Sequence, residues 1–443
     1  MLSFKSSISE KLIKRLRSST LARNTVWAMA GQGTRVVIQA LYFVVIARAL
    51  GPEGYGAFAA VVALVAILEP FAGLGTGNIL IKEVSRNAQA FNVRWGNALI
   101  MTWASGLIIL VPLVLAARLI LPQTIPLSLV FLVASSELLL TRLLDISGHA
   151  FQAFHLLKRT VQFNALISFS RLIAALLLAF LFGSSDPVVW GMLYFLTGVG
   201  CAITGVYFVH RELGRPEFHF DFKLSDIKEG FYFSVNLSAQ SLNSSIDKAM
   251  LARLSTLEAT GIYASATKIV GMSFEPIRSL AYAAYTKFFQ EGASGIQGSL
   301  KFAKRLIPIG VGYGALVWIV LFLTVPLAPV ILGEEYRDIV EAIRWLALLP
   351  LIKSLQRFAG DTLTGAGYQG WRSSAYLLSS VFNVLINLWL IPAYLWRGAA
   401  WASLASNSLL ALSLWGCVWF INKRSQRLLR ERHSGPYAVG VAD

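Results

Sequence analysis

RALGPEGYGAF, residues 48–58, is a polar, glycine-rich turn set between two long apolar runs, and RLSTLEATGIY, residues 253–263, repeats it 205 positions later. At that offset Arg48 falls on Arg253, Glu53 on Glu258, Gly56 on Gly261 and Phe58 on Tyr263. Further along, Lys82 falls on Lys287, and Glu69-Pro70 meets Glu275-Pro276 after a shift of one. Each match alone is within chance. Together they indicate two matched halves, with the repeated turn as the hairpin between the first two helices of each. Gly51, Pro52, Gly54 and Gly56 tighten the first version; Glu258 and Gly261 survive in the second.

The runs around these turns are what a lipid-dissolved chain needs. Hydrophobic residues make up 56% of the sequence and charged residues 14%, against roughly 25% charged in soluble domains. A helical crossing takes about 20 mostly apolar residues. Twelve candidate spans follow: 25–48, 55–81, 97–117, 124–148, 160–183, 187–209, 229–252, 260–285, 305–332, 337–363, 371–394 and 398–421. The seventh is the most polar, carrying SVNLSAQSLNSSID. The expected fold is an all-α integral membrane protein of about twelve spans in two pseudo-symmetric six-helix lobes. The expected division is an N-lobe at 25–209, a cytoplasmic linker at 210–228, a C-lobe at 229–421 and a basic cytoplasmic tail at 422–443. Residues 1–24 read either as a basic amphipathic helix on an anionic membrane face, with Ser7 and Glu10 at capping-box spacing, or as a basic tail.

Loop charges set the expected orientation. Lys5, Lys11, Lys14, Lys82, Arg86, Lys158, Arg159, Arg211, Lys287, Lys301 and Lys304 gather on one side, whereas Arg48, Arg118, Arg253, Arg337 and Arg397 are nearly all the other side has. The excess of Lys and Arg marks the cytoplasmic side and places both termini there. It also accounts for the net charge of +16 without nucleic acid, for which no motif is present. Six spans per half is an even number, so the halves enter the membrane from the same side as a parallel repeat.

Ionisable groups inside spans cost about 2.5–3.5 kcal/mol each on the insertion scale, yet this chain keeps many. Arg142 with Asp145, Glu341 with Arg344, and Arg357 with Asp361 have the spacing of internal ion pairs. Arg35, Arg171, Glu69 and Glu275 lie too deep to snorkel, and Asp247, Lys248, Lys268, Arg278 and Lys353 add to them. A water-filled cavity between the halves, lined with cations, is expected, and such a cavity selects an anion. Arg35, Arg171, Arg278, Lys268 and Lys353 are the candidate phosphate contacts, since a guanidinium fork matches phosphate oxygens. Glu69, Asp247 and Glu275 are candidate carriers of a coupled proton or sodium ion. Asn236, Asn243, Asn383 and Asn387 suit sugar hydroxyls or interhelical hydrogen bonds equally.

No signal for catalysis stands out. GASGIQGSLK, residues 292–301, lacks phosphate-loop spacing, and neither Cys201 with Cys417 nor the histidines form a metal motif. The outer loops are short, which favours moving a substrate over changing it. No cofactor or metal is expected beyond the coupled ion.

ARALGPEGYGAFAAVVALVAILEPFAGLG, residues 47–75, resembles the first hairpin of Wzx-type polysaccharide-biosynthesis flippases, members of the MOP exporter superfamily. FSVNLSAQSLNSSIDKAMLARLSTLEATGIYASATKI, residues 233–269, resembles the start of that family's second half. The resemblance implies a MATE-like fold in the bacterial inner membrane. It implies an undecaprenyl-pyrophosphate-linked oligosaccharide as substrate, carried to the outer leaflet for O-antigen, capsule or exopolysaccharide assembly. Glycan polymerase and assembly proteins would be its partners beside the membrane lipids. Cavity arginines known in the family's first and eighth helices point to Arg35 and Arg278. The alternatives are a MATE-like multidrug or cation exporter, which needs an acidic or apolar cavity, and a membrane glycan polymerase or glycosyltransferase.

Overall fold

The structure, a computed structural model, describes residues 20–218 and 224–433. Residues 1–19, which include most of the expected amphipathic N-terminus, and the tail beyond 433 lie outside the described residues. Every regular element among the described residues is helical. In chain order these are α1 Thr20–Leu68, α2 Thr76–Val84, α3 Phe91–Ile120, α4 Leu127–Ser135, α5 Arg142–Ala153, α6 Leu157–Leu177, α7 Pro187–Glu212 and α8 Leu224–Leu254. They continue with α9 Leu257–Ser273, α10 Glu275–Gly292, α11 Ile296–Thr324, α12 Ala328–Leu332, α13 Ile339–Leu346, α14 Leu349–Gly365 and α15 Gln369–His433.

Seven helical stretches among the described residues are long and apolar enough to cross a membrane. Two of them are too long for one crossing. Arg35–Val84 has 50 residues and Gln369–Arg427 has 59, about 75 and 90 Å of helix against a hydrocarbon core of about 30 Å. Each folds back at one residue. In α1 it is Gly51 (φ 66°), followed by Pro52, and in α15 it is Leu395 (φ 53°), three residues after Pro392. Three further helical stretches, 224–254, 257–292 and 339–365, match expected spans but carry more polar and charged residues. The twelve expected crossings are thereby all helical.

The quoted turn is made differently in its two copies. In the first, Gly51 alone leaves helical geometry, a left-handed φ that suits a residue without Cβ. In the second, the Thr256 side chain accepts from the Ala259 N–H at 3.1 Å and caps α9. Both Glu-Pro dipeptides sit at interruptions. Glu69–Phe71 is a single 3₁₀ turn leading into Gly73, Leu74 and Gly75, all at positive φ. Glu275-Pro276 opens α10 directly after α9 ends. Proline lacks the N–H that would continue either helix.

The chain divides into two compact units, and the boundary falls between Ser238 and Ala239. It therefore lies inside α8, downstream of the linker expected at 210–228. The first unit packs around Leu80, Phe91, Trp95, Phe151 and Phe163. The second has one cluster around Leu363, Leu410 and Leu414 and another around Phe288 and Phe358. Phe180, Leu119, Leu323 and Trp389 are largely exposed, as side chains facing acyl chains must be.

Candidate functional site

In the first unit the polar groups converge from five elements. Between α4 and α5 the helix widens into a π-helical stretch, Ser136–Thr141, a local form that recurs at functional sites. It carries Glu137 and Thr141. Arg171, on α6, donates to Glu137 Oε1 at 2.6 Å and to Thr141 Oγ1 at 3.2 Å. The Tyr194 hydroxyl of α7 donates to the same Glu137 oxygen, and the Arg171 guanidinium lies 4.1 Å from the centre of the Tyr194 ring. Arg142 reaches back to the 3₁₀ turn, bonding both the Glu69 carboxylate and the Glu69 carbonyl oxygen at 3.0 Å. It also meets Asp145 at 3.6 Å, as its spacing predicted. Arg35 is half-buried on α1. Arg142 and Arg171 thus stand against three carboxylates, Glu69, Glu137 and Asp145.

In the second unit Asp247 is buried on α8. Its oxygens accept from the Tyr263 hydroxyl at 2.8 Å and the Asn387 amide at 3.0 Å. Asn387 also donates to Asn383 Oδ1 at 2.9 Å, and Asn383 donates to Ser406 Oγ at 2.8 Å. The Asn387 Oδ1 atom is buried without a partner. Asn383 and Asn387 are therefore turned toward the carboxylate and Ser406. Asn243 is half-buried with its Oδ1 unpartnered, and the side chain of Asn236 falls outside the described residues.

The cations of this unit are arranged less tightly. Arg278 meets Glu275 at 2.7 Å, with more than half of its side chain exposed. The Lys248 ammonium donates to the Ser244 carbonyl at 3.0 Å. Lys353 is half-buried on α14, within electrostatic reach of Lys248, Arg278 and Asp247. Lys268 is half-buried on α9. Asp361 is buried between Arg357 at 2.9 Å, as its spacing predicted, and Arg372 at 3.4 Å. The expected pair of Glu341 with Arg344 does not form. Glu341 takes a two-pronged contact from Arg397, at 2.8 and 2.6 Å, and Arg344 lies over the Phe322 ring. Both prongs of the Arg397 guanidinium on α15 engage the carboxylate, a bidentate contact stronger than a single bond.

Glu137 and Tyr194 are not among the expected site residues, and Tyr263 entered only as a match in the repeat. Glu137 was legible as a lone acid inside an apolar run, and Tyr263 as the hydroxylated counterpart of Phe58 in the repeated turn. Nothing in the linear pattern marks Tyr194, which matters only because α7 brings it to Glu137 and Arg171.

A pseudo-repeated bundle of membrane-crossing helices, with ionisable and amide side chains inside each unit, is the architecture of a multi-pass membrane protein. Solved structures bear this out at the level of fold. An inward-facing multidrug resistance MATE family transporter of the MOP superfamily superposes with a TM-score of 0.75 at 14% identity, covering 89% of this chain and 96% of that one. The lipid II flippase MurJ, in an inward closed conformation, gives 0.74 at 10% identity and 94% coverage of both chains. An outward-facing MATE transporter gives 0.62 at 16% identity, covering 89% and 93%. The chain has the fold of MOP-superfamily transporters. Residues 21–285 match the polysaccharide biosynthesis protein family, and the chain belongs to that family. No curated protein matches it.

Proposed function

We propose that this protein is a flippase that moves an undecaprenyl-pyrophosphate-linked oligosaccharide from the cytoplasmic to the outer leaflet by alternating access. It acts as a transporter and not as an enzyme. The observation that carries the proposal is the set of ionised side chains held inside membrane-crossing helices of a polysaccharide-biosynthesis family member. Such groups are expensive in hydrocarbon and are kept where a charged cargo or ion must pass. The anionic headgroup meets the deep cations; the neutral amides and hydroxyls face its sugars or brace the helices. In this scheme the protein lies in the inner membrane with both termini in the cytoplasm, beside the polymerase that takes over the glycan.

Transport of an anion outward from a negative-inside cell gains about 2.3 kcal/mol per charge per 100 mV. A coupled H+ or Na+ adds to this, and Asp247 is the best placed of the three candidate carriers. Glu69 is bound to Arg142 and Glu275 to Arg278, whereas the hydrogen bonds to Asp247 come from neutral donors. The test is complementation in a strain deleted for this gene, following the sidedness of the lipid-linked glycan. Loss of a flippase leaves the unit facing the cytoplasm. Flipped but unpolymerised units would instead indicate a polymerase, and drug hypersensitivity with normal glycan export a multidrug exporter.

A further inference from the structure

The fold-back of α15 is more strained than a hairpin requires. Leu395 turns there with φ 53° and ψ −132°, the values of the first central residue of a type II′ turn, a place that belongs to glycine, asparagine or aspartate. The other fold-back, in α1, gives its positive φ to Gly51. A leucine held in that region stores strain, and strain of this kind gathers at ligand sites. The hairpin is also closely packed, since a Cβ at Gly398 would overlap the Leu390 carbonyl oxygen.

What the turn presents is a group of rings with an ion pair beside it. Tyr394 lies 5.1 Å from Trp401, and Trp401 lies 5.9 Å, edge to face, from Trp345 on α13. Trp345 and Tyr394 are nearly half exposed, and the Trp401 Nε1–H is a buried donor without a partner. Arg397 rests on the Trp396 ring at 4.8 Å and grips Glu341 with both prongs, each side chain of the pair again nearly half exposed. The ion pair and the ring pair stand on the same two helices, one turn apart. Glu341 and Trp345 are four residues apart on α13, as are Arg397 and Trp401 on α15.

An interfacial aromatic belt needs single amphipathic rings at headgroup depth. It calls for neither a strained turn nor a two-pronged ion pair one turn away. Ring faces that take C–H groups, beside a carboxylate that accepts and a guanidinium that donates, match a sugar, which has an apolar face and a rim of hydroxyls. A hydroxyl oxygen reaching Trp401 Nε1 would satisfy a donor that the fold leaves unpaired. Arg397 belongs to the side that loop charges mark as outer.

We propose that Trp345, Tyr394 and Trp401, with Glu341 and Arg397, form a saccharide-binding site on the second unit that engages the sugars of the cargo once they face the outer side. This rests on the flippase reading above and adds to it a glycan contact apart from the deep cations and amides.

The test uses the full chain in lipid nanodiscs and, as probe, the free oligosaccharide released by mild acid from the host's own lipid-linked intermediates. Affinity is read from a saturation-transfer NMR titration. Wild type should bind the probe, and Trp345→Leu should weaken binding at least about tenfold. Trp345→Phe should recover part of that loss, and Glu341→Gln should weaken binding to a smaller degree. Trp371→Leu removes an exposed ring at the start of α15, paired with Phe420, and should bind as wild type does. Thermal melting of each variant confirms folding. Unchanged affinity in folded Trp345→Leu, an equal loss in Trp371→Leu, or a wild type that binds no oligosaccharide would each overturn the site. Glycan export in the deletion strain is scored separately. Export by wild type alongside any of those results leaves the flippase reading standing, and a wild type that fails to export removes that reading whatever its sugar affinity.

Discussion

Replacing Asp247 separates its structural part from its proposed part in ion coupling. The carboxylate accepts from Tyr263 at 2.8 Å and from Asn387 at 3.0 Å. Asp247→Ala orphans both donors, at about 1–3 kcal/mol each, so the loss should be about 2–6 kcal/mol less whatever is recovered by no longer burying a charge. Asp247→Asn keeps the shape and one acceptor oxygen. One donor then faces an amide N–H₂, but the buried charge is gone, so its stability should stay within about 2 kcal/mol of wild type. The ion response should part company with this order. If a cation binds the carboxylate, raising its concentration to ten times Kd stabilises wild type by about 1.4 kcal/mol, and Asp247→Asn by nothing. The assay is thermal unfolding in nanodiscs at constant ionic strength, with sodium exchanged for choline in one series and pH varied in another. An Asp247→Asn variant that keeps the wild-type cation response, or an Asp247→Ala variant as stable as wild type, would refute the reasoning.

Glu137→Gln should leave Arg171 without its counter-charge. Breaking a fully buried pair costs about 3–5 kcal/mol; with 20% and 13% of the two side chains exposed, about 2–3 kcal/mol is expected, and a double-mutant cycle with Arg171→Gln should recover a coupling of at least about 1 kcal/mol. Arg397→Gln breaks a pair in which both side chains are 44% exposed, so unfolding measurements should register under about 1 kcal/mol, fading further in high salt. A Cβ at position 230 would overlap the Leu74 carbonyl oxygen, so Gly230→Ala should lower stability by about 1–3 kcal/mol. Gly271→Ala, with open space around it, should raise helix stability by about 0.5–1 kcal/mol in the same melt.

The helices were legible because lipid leaves the backbone few choices. Apolar runs and turn residues locate the crossings, and even the polar stretch of α8 reads as one when the even count and the repeated turn demand it. The breaks at both Glu-Pro dipeptides were equally visible, since proline forbids the bond that would continue the helix. What the sequence hides is partnership across helices. Arg171 bonds Glu137 across 34 positions, Arg397 bonds Glu341 across 56, and Asn387 bonds Asp247 across 140. Local spacing suggested Arg344 for Glu341 because i, i+3 and i, i+4 are the pairings a linear pattern can propose. The π-helical stretch beside Glu137 has no linear signature either.

One continuous helix belongs to both compact units. Its early residues are fixed to the first, where the Ser238 hydroxyl donates to the Ile67 carbonyl at 2.6 Å and Phe231 packs against Phe71, while Asp247 is bonded within the second. No loop therefore separates the two units cleanly. A gene split just ahead of Leu224 hands fifteen residues of the first unit's packing, Leu224–Ser238, to the other fragment. Co-expressed fragments should regain a native fold only when that borrowed segment finds its seat beside the break after Glu69, which makes split-chain rescue a direct gauge of how firmly it is held.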